Sequence, residues 1–291
     1  MEPRRYGPFP YSPIIDRPAL HWPNGARVAV WIIPNIEFFP LDATITGQQP
    51  ITPNVLPWAR RDYGNRVGVF RLMDAMAKRN IRGTVALNSD ICIEHPRIIE
   101  AAQDLQWEFM GHCVTNTQPL HRLEPEAEER AVKTTVSVIE KATGQRPKGW
   151  LGAGLNETWH TLDYLSAAGV RYVADWANDD EPYVMDIGKP KMVSIPYTIE
   201  LNDITVLSLE IQSSEEFGRI IRRQFEVLYE EGGRSAKVMA IALHPWIIGV
   251  PHRIRILGAA LDFIANHQDV WFATGSEIVD AYLSQLGKPT A

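Results

Sequence analysis

The segment VMAIALHPWIIGVPHR, residues 238–253, places a histidine directly after an apolar run and directly before a proline. Residues 238–243 are continuously apolar, which is typical of a buried parallel strand. Pro245 disfavours the helical conformation for the residue before it, so His244 is expected to stay extended. Side chains at the tips of buried strands are where α/β folds place catalytic groups. We therefore predict that His244 transfers a proton at the rim of an active site.

Apolar runs of strand length alternate with amphipathic segments of helical length along the chain. The predicted strands are residues 27–36, 82–87, 107–111, 148–151, 170–174, 192–195, 204–209, 238–243 and 270–272. The predicted helices are residues 66–78, 96–104, 124–143, 156–168, 214–231, 252–266 and 276–286. This alternation, with no linker, predicts a single α/β domain built on a parallel sheet. The number of strands favours a closed barrel over an open sheet.

The composition is that of a globular protein and argues against two classes of partner. The 291 residues are 45% hydrophobic and 22% charged, which suits one large core. The net charge is −6 and no basic stripe is present, so we expect no nucleic-acid partner. No run of eighteen apolar residues and no signal-peptide pattern is visible, so we expect no membrane association and a cytoplasmic location.

Two segments differ from the rest of the chain. Residues 1–25 are rich in proline and aromatic residues, and we expect an ordered arm that lies over the body or over a neighbouring subunit. Residues 26–291 would then form the barrel domain. Within it, residues 38–63 contain several prolines and read as a long loop, of the kind that serves as a lid or a binding loop.

Polar and aromatic side chains follow most of the predicted strands. They are Asn35, Glu37, His112, Asn116, Trp150, Asp175, Trp176 and His244. Because the carboxyl ends of parallel strands converge on one face of a barrel, we expect these residues to form one site. Two histidines and a glutamate suit hydrolysis, in which one group deprotonates water and another protonates the leaving nitrogen.

The order of these residues resembles the five spaced motifs of the polysaccharide deacetylase superfamily, the NodB-homology domain. The matching segments are NIEF at 35–38, GHCVTN at 111–116, WLGAG at 150–154, DW at 175–176 and LHP at 243–245. The resemblance covers roughly residues 27–280, in the family's order. It implies a distorted (β/α) barrel of the polysaccharide deacetylase type, in a single domain.

The chain departs from the family at the metal site. The resemblance implies ligands at an aspartate in the first motif and at two histidines in the second, and those positions hold Phe38, His112 and Asn116. A divalent metal needs three or more protein ligands to bind firmly. We therefore expect no firmly bound cofactor. At most, a divalent metal such as zinc would bind weakly at His112 and Glu37. Asn116 could bind a substrate amide in its place.

Within the superfamily the chain is most similar to the cytoplasmic branch of allantoinases and cyclic imide hydrolases. It shares an Asn-x-Glu first motif and a segment like RDYGNRVG, residues 61–68. The branch implies a small-molecule substrate with a hydrolysable carbon–nitrogen bond in a cyclic amide, imide or ureide, and a homo-oligomer. Glu37 would be the general base and His244 the general acid. The residues expected to contact substrate are Asn35, Arg61, Tyr63, Asn116, Trp150, Asp175 and Trp176.

Two other functions stay open at this point. The first is a metal-dependent N-deacetylase of a sugar or small acetamide, which the missing metal ligands and the missing export signal disfavour. The second is a non-catalytic binding protein on a decayed barrel, which the presence of both Glu37 and His244 disfavours. A metal assay combined with activity on hydantoin, succinimide and allantoin separates the three.

Overall fold

A computed structural model describes residues 2–187 and 191–286. Its strands are β1 Val28–Ile36, β2 Thr84–Leu87, β3 Glu108–Gly111, β4 Gly149–Trp150, β5 Tyr172–Val173, β6 Tyr183–Met185, β7 Met192–Ser194, β8 Lys237–Leu243 and β9 Val270–Phe272. The two longest, β1 and β8, are buried along their whole length, as expected of central parallel strands.

The strands form one mixed sheet in the order β6-β7-β5-β4-β3-β2-β1-β8, and β9 pairs with the first residues of β1. Every pairing is parallel except β6 with β7, which is antiparallel. The α/β class and the distorted single-domain barrel are thus confirmed. The antiparallel strand β6 was not predicted, because the segment around it is polar and too short to show a clear apolar run.

The sheet curls into a half-barrel, so it is less closed than the strand count had indicated. Its two outer strands are β6 and β8, and backbone contacts join segments across the gap between them. The amide of Val238 donates to the carbonyl of Asp180 at 2.9 Å, and Asn202 forms a parallel bridge with Ala242. These contacts close the interior on that side, although no continuous strand pairing joins β6 to β8 in the described part of the chain.

Helices cover the outer surface of the sheet. They are α1 Val55–Tyr63, α2 Val69–Ala77, α3 Ile91–Glu94, α4 Pro96–Asp104, α5 Pro125–Thr143, α6 Thr161–Ala167, α7 Ser214–Glu231, α8 Pro245–Ile248, α9 Pro251–Ala265 and α10 Gly275–Leu283. Helix α5 ends as its sequence predicted, at Gly144 in the left-handed conformation. No helix in the described ranges has both the length and the apolar content needed to cross a membrane.

Two predicted segments differ from the structure. Helix α1 occupies the end of the predicted 38–63 loop. Pro57 lies in its first turn, where a missing N–H costs nothing because that N–H has no helical partner. Residues 204–209, predicted as a strand, form a π-helical segment over Thr205–Leu209. The Asn202 side chain accepts a hydrogen bond from the amide of Ile204, and this Asx turn starts the helical segment in place of a strand.

Alternation along the strands separates an inner from an outer core. On β1, Trp31 and Ile33 belong to the buried apolar cluster shared by residues of six strands, which fills the barrel interior. Val30 and Ile32 pack outward against the helices. Since successive side chains of a strand point to opposite faces, Glu37 continues the inner row. The barrel interior therefore changes from apolar to polar at the carboxyl end of β1.

The N-terminal arm is fastened to the body at several points. The carbonyl of Pro8 accepts from the amide of Asp186 at 2.6 Å, and the carbonyl of Leu20 accepts from Ala236 at 2.8 Å. Arg17 makes two hydrogen bonds to the carboxylate of Asp179. The arm thus lies against the body of its own chain, beside the gap between β6 and β8.

We predict that Gly68→Ala lowers the free energy of unfolding by about 1–3 kcal/mol. An added Cβ at Gly68 would clash with the carbonyl oxygen of Pro245, a backbone atom that cannot easily move. Gly218→Ala is the matched control, since its Cβ would meet only the Ile256 side chain, at 2.7 Å. Urea unfolding of both variants is the measurement, and equal stabilities for the two would contradict the account.

Candidate active site

One buried carboxylate oxygen is the centre of the polar cluster at the carboxyl end of the barrel. The Nδ2 of Asn116 donates to Oε1 of Glu37 at 2.7 Å. The Nε2 atoms of His112 and His244 lie 3.6 and 3.7 Å from the same oxygen. Burial alone would raise the pKa of Glu37, but the positive charge of His244 and the contact with His112 outweigh it and lower that pKa. Glu37 is therefore ionised and able to accept a proton.

His244 is held by a carboxylate that was not among the predicted site residues. Its Nδ1 donates to Oδ1 of Asp203 at 2.7 Å, and its backbone amide donates to Oδ2 of the same residue at 2.8 Å. Burial lowers the pKa of His244. The charges of Asp203 and Glu37 raise it by a larger amount, so the net shift of this pKa is upward. The arrangement fixes the ring with Nε2 toward Glu37 and favours its protonated form.

His112 is oriented by the backbone of the neighbouring strand. Its Nδ1–H donates to the carbonyl of Leu151 at 2.6 Å, which leaves Nε2 facing Glu37. Cys113 follows in the left-handed region, with a φ of 61°, an uncommon conformation for a residue with a side chain. Burial raises the pKa of the Cys113 thiol to about 12, so this cysteine is a packing residue.

Two further interior residues were not predicted, although strand alternation indicates them. Tyr197 continues the inward row of Val193 and Ile195 beyond β7. Burial and the negative charges of Asp203, Glu37 and Asp175 raise the pKa of Tyr197, so its phenol stays protonated. Asn88 follows β2 in the same way. Its side chain accepts from the amide of Phe38 and donates to the carbonyl of His112, which joins two of the site's loops.

Arg61, which was predicted to contact substrate, lies close enough to Glu37 for their charges to interact. Its guanidinium stacks on Phe39 at 4.5 Å and on Trp246 at 4.7 Å, and one nitrogen donates to the carbonyl of Pro57. Burial lowers the pKa of Arg61, and the charge of Glu37 counteracts this effect. The Nε atom is buried without a partner among the described residues, so a donor is available beside the catalytic carboxylate.

Asp175 and Trp176 form the wall next to His112. Oδ1 of Asp175 accepts from the amide of Gly152 at 2.6 Å, and burial raises the pKa of Asp175 to about 6. Trp176 donates from Nε1 to Glu157 at 3.2 Å. Glu157 lies beside Asp175, and burial together with that neighbouring carboxylate raises its pKa well above the ordinary value.

Three predicted contact residues are not placed to touch a substrate. Trp150 is completely buried and faces outward from β4 into the core beneath α5 and α6, because Leu151 takes the inward position. The Tyr63 hydroxyl bonds Arg71, which also holds the carbonyl of Gly249, so Tyr63 takes part in fastening α1. Asn35 is buried one inward position below Glu37, and its amide donates to its own strand.

The residues at the centre do not fit the usual zinc site. Phe38 offers no ligand atom and packs against the outer core and the ring of His95. Asn116 turns its donor nitrogen toward Glu37. Within residues 2–187 and 191–286, no three His, Cys, Asp or Glu side chains are arranged to hold a metal ion. Glu37 and His112 supply two ligands, and His244 favours its protonated form, which cannot bind a metal. Firm binding takes three or more ligands.

Comparisons with known proteins point to one family. A sequence profile described as polysaccharide deacetylase matches residues 61–173. A protein of Schizosaccharomyces pombe described as "Putative polysaccharide deacetylase" is 28% identical over 302 residues, covering 90% of this chain and 92% of that protein.

Two solved structures share the fold over nearly the whole chain. A "probable Polysaccharide deacetylase from Pseudomonas aeruginosa PAO1" has a TM-score of 0.83 at 25% identity, covering 94% of this chain and 97% of its own. An allantoinase has a TM-score of 0.84 at 24% identity, covering 94% and 96%. The barrel is thus similar to that of proteins described with different activities.

We predict that Asp203→Asn lowers the pKa of His244. The negative charge of Asp203 is the largest influence that raises this pKa, and burial, which lowers it, remains in the variant. A pH titration of the ring resonances by nuclear magnetic resonance measures the shift. Asp175→Asn is the control, because Asp175 is not among the groups that shift His244. An unchanged pKa in Asp203→Asn would show that the carboxylate does not polarise the ring.

Proposed function

Because the chain belongs to the polysaccharide deacetylase superfamily, we propose that it is a hydrolase that opens a non-peptide carbon–nitrogen bond in a small cyclic amide, imide or ureide. The observation that carries the proposal is the convergence of Glu37 Oε1 with the Nε2 atoms of two histidines, one of which is paired with Asp203. This arrangement supplies an ionised base and a protonated acid within one buried cluster.

In the first step, Glu37 removes a proton from water and the resulting hydroxide attacks the ring carbonyl. The distances of 3.6 and 3.7 Å from Glu37 to the histidines are longer than a direct hydrogen bond. We place the attacking water beside Oε1 of Glu37, on the side that the two Nε2 atoms face. Asn116 donates to the carboxylate and fixes its orientation. We place the negative charge that develops on the carbonyl oxygen beside the Nε donor of Arg61, which has no partner among the described residues.

In the second step, the carbon–nitrogen bond breaks and His244 gives the proton on Nε2 to the leaving nitrogen. Asp203 stabilises the protonated ring before the transfer and keeps Nδ1 protonated after it. The proton that Glu37 took from water then returns to His244, directly or through solvent. The cycle consumes one water and leaves an amide or amine and a carboxylic acid, which releases its proton to solvent and becomes a carboxylate.

The polar atoms left without partners support a small polar ring as the substrate. Among the described residues, the buried atoms without a hydrogen bond include Nε of Arg61, Nε1 of Trp246, Oδ1 of Asn116 and Oδ2 of Asp175. Buried donors and acceptors are normally paired, and leaving one unpaired costs about 1–3 kcal/mol. A ring with alternating carbonyl and N–H groups supplies both partner types, whereas an apolar ligand supplies neither.

The alternative functions find less support in this site. An N-deacetylase of the usual kind uses a firmly held metal, and Phe38 and Asn116 occupy two of its ligand positions. A decayed binding module does not account for the pairing of Asp203 with His244, since a pure binding site has no need to raise the pKa of a buried histidine. We further propose a cytoplasmic homo-oligomer that acts on small molecules and binds no nucleic acid.

We predict that Glu37→Gln and His244→Ala each lower turnover of a responsive ring substrate by at least about a hundredfold, because a general acid or base contributes ~10²–10⁴-fold. Circular dichroism and thermal unfolding check that both variants still fold. Val227→Ala, which changes an exposed residue of α7 outside the catalytic cluster, is the control. Near-normal turnover in either variant removes that residue from the mechanism.

We predict that the purified protein holds no stoichiometric zinc and that ring opening survives a chelator. The physical reason is that the centre offers two ligands where firm binding takes three or more. Elemental analysis and hydantoin, succinimide and allantoin assays, with and without chelator, are the measurements. One zinc per chain that is lost in His112→Ala, together with activity abolished by chelation, would favour the deacetylase instead.

A further inference from the structure

We propose that the N-terminal arm and the segments after β4 and β5 form a second binding site, which takes the anionic side arm of an elongated ring substrate. The inference rests on the proposed function, because it extends the substrate of the same site. It assigns a binding role to residues outside the catalytic cluster, and it gives the arm a purpose beyond packing.

A groove of about 600 Å³ lies between the arm and the segment that follows β4. Its lining includes Arg4, Arg5, Tyr6, Glu157, Trp159 and Trp176. The volume falls within the range of 300–1,000 Å³ that is common for small-molecule sites. Aromatic rings and guanidinium groups thus meet in a space that suits a short side arm rather than a polymer.

The arm wall of this groove is held in place. Phe9 packs edge-to-face on Trp176 at 5.2 Å and on Tyr183 at 4.8 Å. The carbonyl of Pro8 accepts from the amide of Asp186, next to the end of β6. Further along the arm, Arg17 is bonded to Asp179 at 2.6 and 2.8 Å. The groove is therefore formed before any ligand binds.

The groove is linked to the catalytic cluster through Asp175, which interacts with the lining residue Glu157 and with His112. Trp176, which lines it, directly follows Asp175 in the chain, and the charge of Asp175 interacts with His112. Trp176 also donates to Glu157, a second lining residue, at 3.2 Å. In the proposed binding mode, a substrate whose ring lies at Glu37 extends a substituent past Asp175 into the groove.

The charge of the lining favours an anion. Arg4 and Arg5 are exposed and cationic, and Glu157, with a pKa raised by burial and by Asp175, carries little opposing charge. Guanidinium groups bind carboxylates through charge-assisted hydrogen bonds. The adjacent rings of Tyr6 and Trp176 offer apolar contact to the carbons that connect the carboxylate to the ring. A carboxylate on a short aliphatic arm meets both requirements.

The test compares hydantoin-5-propionic acid with its primary amide, which has nearly the same shape and no charge. Calorimetry on the Glu37→Gln protein measures binding without turnover, so its result does not depend on ring opening. We expect the acid to bind more tightly than the amide. The double variant Arg4→Ala/Arg5→Ala is made in the Glu37→Gln background. It should lower the binding affinity for the acid by roughly fivefold and the affinity for the amide by less than about twofold.

The matched control is Arg219→Ala/Arg223→Ala, which removes two exposed arginines of α7 that pair with Glu216. This control should leave both affinities unchanged. Raised ionic strength should lower the binding affinity of the acid and leave that of the amide unchanged, since salt screens interactions between exposed charges. Equal affinities for acid and amide, absent binding of both, or equal losses in the two double variants would overturn the inference. Failure of the unsubstituted protein to open any ring would instead overturn the proposed function.

Discussion

The structure around the site depends on keeping one buried carboxylate ionised. Burial disfavours the charge on Glu37, so every neighbour must compensate for the lost water. Asn116 donates to it, His112 and His244 face it, and Arg61 adds positive charge from the side. Each of these neighbours is in turn fixed by a partner of its own, and the cluster is rigid for that reason. The same compensation gives the base and the acid of a hydrolytic reaction.

The alternation of strand side chains explains why much of the fold and the site could be predicted. Continuous apolar runs identified β1 and β8 to within a residue or two, and the polar residue that ends each inward row identified Glu37 and His244. The same rule, applied to β4, would have placed Trp150 in the outer core and Leu151 inside. The prediction for Trp150 followed a motif and not the alternation, and the structure buries this residue in the outer core.

Tertiary contacts determine the parts that the sequence could not reveal. Asp203 bonds His244 from a position just before the π-helical segment Thr205–Leu209. The β-branched residues of that segment indicate a strand when the sequence is read alone. The contact between Asn202 and β8 that places Asp203 exists only once the barrel has curled. Local sequence also gave no sign of the groove beside Trp176, since its two walls are about 150 residues apart in the chain.

The most direct test of the account is a crystal structure of the Glu37→Gln protein with hydantoin bound. We predict a ring carbonyl carbon within about 3.5 Å of a water held by residue 37, and the adjacent ring nitrogen within hydrogen-bond reach of Nε2 of His244. The donors of Arg61 and the acceptor of Asn116 should each gain a partner on the ring. A ring bound away from this cluster, or one with its carbonyl coordinated to a metal ion at His112, would contradict the account.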